Sequence, residues 1–168
     1  VGGGAGYTNQ GGNAVAIGFL AAATYQNNLG IAIGYSAGQN TQGTAAIAIG
    51  ATFGAGQVAA GSIAQGQFGI AIGVGAGANT QGSAAIAIGL EAGEVAQGRS
   101  AIAIGNQAGN QSQGLAAIAI GASFSANQGA PAYTAQGQFG IAIGVAAGAS
   151  TQQSVSYTHL RAHETRED

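Results

Sequence analysis

The stretch SAIAIGNQAGNQSQGLAAIAIG, from Ser100 to Gly121, contains one full copy of the unit from which most of the chain is built. Its marker is the tetrapeptide IAIG, which is followed by an Ala-Gly pair, a Gln-Gly pair and a second IAIG. Short repeats of this kind are the sequence signature of stacked solenoids, in which each copy packs only on its neighbours. The marker recurs throughout, once as VAIG, and its closing glycines are Gly18, Gly34, Gly50, Gly73, Gly89, Gly105, Gly121 and Gly144.

The spacing of these marker glycines defines two coil lengths. Successive markers are 16 residues apart, but the steps from Gly50 to Gly73 and from Gly121 to Gly144 are 23 residues. A 23-residue step at every fourth coil gives a super-repeat of 71 residues, so that GQFGIAIG occurs from Gly66 and again from Gly137. We therefore predict an all-β, parallel β-solenoid with 16-residue coils and a 23-residue coil at every fourth turn.

The marker itself predicts a short strand. Side chains alternate between the two faces of a strand, so Ile47 and Ile49 share one face while Ala46 and Ala48 share the other. We expect the isoleucines to fill the interior of the coil. Two isoleucines stabilise a coil by about 2–3 kcal/mol each, whereas ordering 16 residues costs about 16 kcal/mol or more. We therefore expect the apolar alanine face to pack against further copies of the chain.

A glutamine column accompanies the markers. The glutamine always stands eight residues before the next marker glycine, and stacked coils would place these amides about 4.8 Å apart. Side chains at that spacing can form hydrogen bonds along the stack, so we expect a structural ladder rather than a catalytic group. The column includes Gln42, Gln65, Gln81, Gln97, Gln113 and Gln136.

Four phenylalanines accompany the two long coils. Phe53 and Phe124 stand three residues after a marker glycine, and Phe68 and Phe139 precede the next marker. Because the aromatic residues coincide with the seven-residue insertions, we expect a bulged loop that the rings anchor. These loops are the candidate partner-binding features of the chain.

Composition excludes several classes of function. The chain has no Cys and only 5% charged residues, so it offers no thiolate metal site and no basic patch for nucleic acid. Gly73, Gly75 and Gly77 resemble the start of a dinucleotide-binding loop, but they belong to repeat columns, and no crossover helix follows. The Asn110-Gln-Ser sequon is interpreted as a chance match. We therefore expect no enzyme activity, no cofactor, no metal, no nucleic-acid partner and no membrane contact in this part of the protein.

The C-terminal residues 155–168 break the repeat. The string VSYTHLRAHET, from Val155 to Thr165, resembles the in-frame translation of a transposon-type sequencing adapter, so we exclude it from the fold. This removes His159, His163 and Glu164, whose spacing otherwise resembles that of a zinc motif. Two parts are expected: a repeat domain at 1–154, which is part of a longer array because Val1 lies inside a repeat, and a non-native, disordered tail.

The repeat from Ser100 to Gly121 resembles the head repeats of trimeric autotransporter adhesins, the YadA-like β-roll family, although its coils are longer than the family's. Similar repeats occur in tail-fibre-like proteins of phages and large viruses. The resemblance implies a left-handed, homotrimeric adhesive module on the cell surface, anchored in the outer membrane through another region and able to bind a host surface or matrix ligand. A segment of a virion fibre is the alternative.

A third possibility is an ice-binding solenoid. That function needs a flat, regular array of threonines, and Thr8, Thr41, Thr80 and Thr151 recur in the repeats. Ala96 and Ser112 interrupt this row. The sequence therefore favours the fibre over the ice-binding surface.

Overall fold

A computed structural model describes residues 1–51, 59–61, 63–122 and 136–145 of the chain. These residues form short parallel strands joined by turns and contain no helix. The strands are of two kinds, one of three residues and one of two, and they alternate along the chain as far as residue 120. Each pair of long and short strands, with the two turns that join them, makes one coil.

The long strands build one sheet of eight and the short strands another of seven. The long strands are β2 (Val15–Ile17), β4 (Ile31–Ile33), β6 (Ile47–Ile49), β8 (Ile70–Ile72), β10 (Ile86–Ile88), β12 (Ile102–Ile104), β14 (Ile118–Ile120) and β15 (Ile141–Ile143). The short strands are β1 (Asn9–Gln10), β3 (Tyr25–Gln26), β5 (Thr41–Gln42), β7 (Ala64–Gln65), β9 (Thr80–Gln81), β11 (Ala96–Gln97) and β13 (Ser112–Gln113).

The register confirms the predicted coil lengths. Ile86 pairs with Ile102 across a 16-residue coil, whereas Ile47 pairs with Ile70 across a 23-residue coil. Every strand pair in the described residues is parallel, and equivalent positions of the repeat face each other from coil to coil. The insertion is therefore absorbed outside the strands, and the chain is the all-β solenoid that the repeat predicts.

The predicted orientation of the long strands is wrong. Their central alanines point inward, and seven of these eight are fully buried, whereas the isoleucines on either side lie on the outer surface. A second row of buried alanines, which includes Ala37, Ala76 and Ala92, packs on the first. The core is therefore made of alanine, and the isoleucines face outward.

The physical reason is that the coil is too thin for larger side chains. A Cβ atom placed on Gly38 would lie 3.2 Å from Oε1 of Gln42 and 3.5 Å from the Cβ of Ala32. The glutamine already fills the space between the two sheets, so only methyl groups fit beside it. An isoleucine turned inward would overpack this interior, and the strand places it outside.

Two turns close each coil. In the leading turn, which precedes the long strand, the amide of Ala46 donates to the carbonyl of Gly43, and Ala45 at the third position has a φ of 54°. In the trailing turn, which follows the long strand, Ser36 occupies the third position with a φ of 57°. Both turns therefore use a left-handed residue and lie at opposite ends of the long strand.

The marker glycine ends each long strand at the closest approach between coils. Gly89 has a φ of 129°, and a Cβ placed on it would lie 2.5 Å from the carbonyl oxygen of Gly105. No other residue avoids both the strain and this clash. The marker glycines are thus required by the stacking of the coils.

Candidate functional site

The outer side of the long-strand sheet is a continuous apolar surface, which we call the isoleucine face. It consists of the first and third residues of the eight long strands, and all sixteen are Ile except Val15. These side chains are half-buried or exposed, and they form the most regular outward columns of the stack. Exposed apolar patches of this kind are typical of interaction surfaces, which makes the isoleucine face the candidate site of the described residues.

Large apolar residues flank the isoleucine face on both turns. Phe19 and Tyr35 lie on successive trailing turns with their rings stacked 5.3 Å apart, and both are about half exposed. Phe68 and Phe139 lie at the third position of leading turns, with φ values of 59° each. A bulky residue in this left-handed conformation is unfavourable, and more than half of each phenylalanine is exposed to solvent.

The phenylalanines do not all share one edge of the coil. Phe68 lies on a leading turn, whereas the first insertion is bounded by Ala51 and Ala59 on the trailing side of the long strand. Its partner in the predicted loop, Phe53, lies outside the described residues, as does Phe124. The insertions as partner-binding loops stay a prediction.

The glutamine side chains link the two sheets across the core. The predicted stacking is confirmed, because Gln81 pairs in register with Gln65 and Gln97, and its side chain is buried. Its Nε2 donates to the carbonyls of Ile70 at 2.6 Å and Ala85 at 3.1 Å, both at the long-strand side of the core. The two sheets are thereby tied together by side chain to backbone hydrogen bonds.

Hydrogen bonds between the amides are the smaller part of this column. Gln97 Nε2 lies 3.2 Å from Gln113 Oε1, and Gln113 Nε2 lies 3.3 Å from Gln136 Oε1. In the other described coils the amide oxygens, such as those of Gln42 and Gln65, receive no hydrogen bond. The predicted ladder of amides is therefore present at one end of the stack. The hydrogen bonds from the glutamine amides to the backbone are shared by nearly all described coils.

The outer side of the short-strand sheet is less regular. Its outward column begins at Asn9, which pairs with Tyr25, so Thr8 lies outside the row. The column continues through Thr41, Ala64, Thr80, Ala96 and Ser112. Tyrosine and alanine residues stand between the threonines of this column. The described coils therefore lack the regular row of threonines that an ice-binding surface needs.

A small polar network joins two successive coils on their trailing side. Gln107 Nε2 donates to Oε2 of Glu91 at 2.9 Å, and Asn110 Nδ2 donates to Oε2 of Glu94 at 3.0 Å. Burial raises the pKa of the Glu94 carboxyl above its ordinary value of 4.5; the hydrogen bond from Asn110 lowers it, and nearby Glu91 raises it. Asn110 is itself buried, so the sequon is unavailable for glycosylation in the folded chain.

The residues that the structure describes contain no group of His, Cys, Asp or Glu side chains that could hold a metal ion. Gly73, Gly75 and Gly77 lie at the end of β8 and in its trailing turn, where they serve the coil geometry rather than a phosphate loop. In the described ranges no helix has the length and apolar character needed to cross a membrane.

Comparison of the chain with family models, with curated proteins and with solved structures finds no match. The resemblance to adhesin head repeats therefore rests on the repeat motif alone.

Proposed function

We propose that this chain is a structural and adhesive segment of a surface fibre, and that it assembles with copies of itself through the isoleucine face. The observation that carries the proposal is the uniformity of the two outward isoleucine columns. Eight coils repeat the same apolar residues on the outer side of the long-strand sheet, whereas the outward column of the short strands varies. A uniform apolar exterior serves a partner that repeats with the same period.

Energetics support the same partner. The interior of alanines provides less apolar burial per coil than an interior of isoleucines would, so the isolated stack lacks a large hydrophobic term. Covering the isoleucine face by further copies supplies that term. The proposed contact between copies is therefore made by the isoleucine face and not, as the sequence predicted, by the alanine face.

The size of the face suits such an interface. Eight long strands at a spacing of about 4.8 Å extend over about 38 Å, and the strands with their flanking turns are about 20 Å wide. This gives about 760 Å² for each copy, close to the roughly 800 Å² per partner of a standard protein interface. A homotrimer, as in the YadA-like family, covers all three faces around one axis.

The biological setting proposed is the bacterial cell surface, where many weak contacts along a rigid rod give avidity for a host surface or matrix ligand. The virion fibre of a phage or large virus uses the same rod and is the alternative. The gene regions that flank the repeats discriminate these two settings, since an outer-membrane anchor accompanies the first and a virion-attachment domain the second.

The test is the oligomeric state of the chain, measured by native mass spectrometry and light scattering. We expect a trimer for the unmodified chain and a monomer for the Ile86→Lys/Ile102→Lys variant. The control is Thr80→Lys/Ala96→Lys, which places the same charges on the outer side of the short strands and leaves the trimer intact. A folded monomer for the unmodified chain contradicts the proposal.

A further inference from the structure

The isoleucine face has a register problem that follows from its regularity. Neighbouring long strands carry the same residues at a spacing of about 4.8 Å, so two copies that slip by one coil still cover isoleucine with isoleucine. An apolar ladder of this kind therefore gives affinity but does not select one alignment. Defined registers in repetitive assemblies usually rest on a few polar or charged positions.

The charged side chains of the described repeats are confined to one coil. Glu91 is the third residue of the trailing turn at residues 89–92, and Arg99 is the second residue of the leading turn at residues 98–101. The equivalent positions in the neighbouring described coils are uncharged, for example Gly75 and Gln107 for Glu91, and Ser83 and Leu115 for Arg99. One height of the stack is thus marked by charge.

These two charges lie on opposite edges of the isoleucine face. Residues 89–92 follow β10, and residues 98–101 precede β12, which is the neighbour of β10 in the sheet. The two turns are therefore separated by the width of the face but by no more than one strand spacing, about 4.8 Å, along the stack. That offset is within the reach of an arginine side chain.

Neither charge is neutralised by an opposite charge within the described part of the chain. Arg99 is exposed and forms no ion pair there, and the Glu91 carboxylate is held at its edge by the amide of Gln107 at 2.9 Å. Glu94 lies on the same edge, which therefore carries two carboxylates. The coil presents a negative trailing edge and a positive leading edge.

The symmetry of the assembly decides which edges meet. When parallel copies surround an axis along the stack, the trailing edge of each copy meets the leading edge of the next at the same height. When copies pack antiparallel, like edges meet and the heights are reversed. Only the parallel arrangement brings a carboxylate edge to an arginine edge.

We infer that Glu91 of one copy pairs with Arg99 of the next, and that this contact fixes a parallel, unslipped register of the isoleucine faces. The inference rests on the proposed self-association and adds its direction and alignment. The pair lies at the rim of the interface and selects the alignment of the copies. The affinity comes from the apolar face.

The first test uses charge reversal. We expect Glu91→Arg and Arg99→Glu each to weaken association about tenfold at low salt, because like charges then meet at every contact. The double variant Glu91→Arg/Arg99→Glu restores the opposite pairing and the original association constant. Circular dichroism of each variant checks that the coils stay folded.

The second test reads the alignment directly. The chain has no cysteine, so the double variant Glu91→Cys/Arg99→Cys offers only the two introduced thiols to a short bis-maleimide. We expect covalent links between copies for this pair. The control Leu20→Cys/Arg99→Cys places the first thiol in the same column four coils away, about 19 Å along the stack, and should give none.

The outcomes separate the two proposals. An assembly that forms normally, but shows neutral charge reversals and no link between positions 91 and 99, overturns the inferred register and leaves self-association standing. A chain that is monomeric before any substitution overturns both. Links from both position 20 and position 91 to position 99 indicate slipped copies and also overturn the inference.

Discussion

The long-strand sheet and the short-strand sheet share one coil but differ on their outer sides. Inward, both are uniform: the long strands present alanine and the short strands present glutamine in every described coil. Outward, the long strands repeat isoleucine, whereas the short strands vary from Tyr25 to Thr80 and Ala96. Because the coils are copies of one unit, a uniform column reports a physical constraint. The long-strand sheet is therefore constrained on both faces and the short-strand sheet on one.

The largest expected effect is at the end of the long strand. Gly89→Ala places a Cβ atom 2.5 Å from the carbonyl oxygen of Gly105 and imposes a left-handed φ on alanine. We expect a loss of about 4 kcal/mol in the free energy of unfolding, measured with denaturant. In Gly12→Ala, the nearest atom would be 3.8 Å away, and we expect little change.

The inward constraint of the short strands is tested by a substitution that keeps size. In Gln81→Glu, a buried carboxylate faces the carbonyl oxygens of Ile70 and Ala85 without the donor that served them. We expect a loss of about 3 kcal/mol at pH 7, and partial recovery at acid pH as the carboxyl takes up a proton. Gln67→Glu, at an exposed position of a leading turn, should unfold at an unchanged denaturant concentration.

The outward difference is tested by exchanging residues between the sheets. Ile118→Thr removes apolar area from the isoleucine face, and we expect the dissociation constant of the assembly to rise about tenfold. Thr80→Ile adds the same area to the short-strand sheet and should leave that constant unchanged. Sedimentation over a range of protein concentrations gives both values; equal effects at the two sites would remove the distinction between the sheets.

The phenylalanines of the leading turns allow monomer stability and self-association to be separated. Phe68→Gly relieves a left-handed conformation, and we expect the folded monomer to gain about 0.5 kcal/mol while self-association becomes a few times weaker. Ala84→Gly relieves the same conformation at the equivalent position of the next coil. It should give the stability gain without the loss of association, as measured by thermal unfolding and sedimentation.

The smallest effect concerns the polar network of the trailing side. The pKa of Glu94 is raised by burial above its ordinary value of 4.5, so the folded chain holds this proton more tightly than the unfolded chain. Stability from this group is therefore greatest at acid pH and declines as pH rises from about 4.5 through the higher folded value. Glu94→Gln should remove that decline while keeping the bond from Asn110, as shown by unfolding midpoints across pH.

The repeat alone was sufficient to predict the stack, the two coil lengths and the glutamine column. It was not sufficient to assign the inside and the outside of the strand. Alternation places Ile47 and Ile49 on one face, but which face is buried depends on the room inside the coil. The missed signal was Gln42, because a polar column that repeats without change must be satisfied inside, and its length leaves space only for alanine.

The charged coil shows a second limit. Its glutamates and Arg99 were visible in the sequence, but their positions on opposite turns depend on where each turn lies relative to the long strand. The buried amide of Asn110 likewise becomes recognisable only when the next coil is stacked beneath Glu94. Contacts between coils decide both features, and these contacts are not local in sequence.

The identical register of successive coils has a consequence for how such a rod changes in length. Because each coil begins and ends at the same point of its cross-section, duplication or deletion of a whole coil in the gene keeps every inward residue inward. Recombination between the near-identical IAIG segments would therefore shorten or lengthen the rod in steps of about 4.8 Å without redesign of its core. Length is a heritable variable of this molecule that selection can adjust separately from its surface.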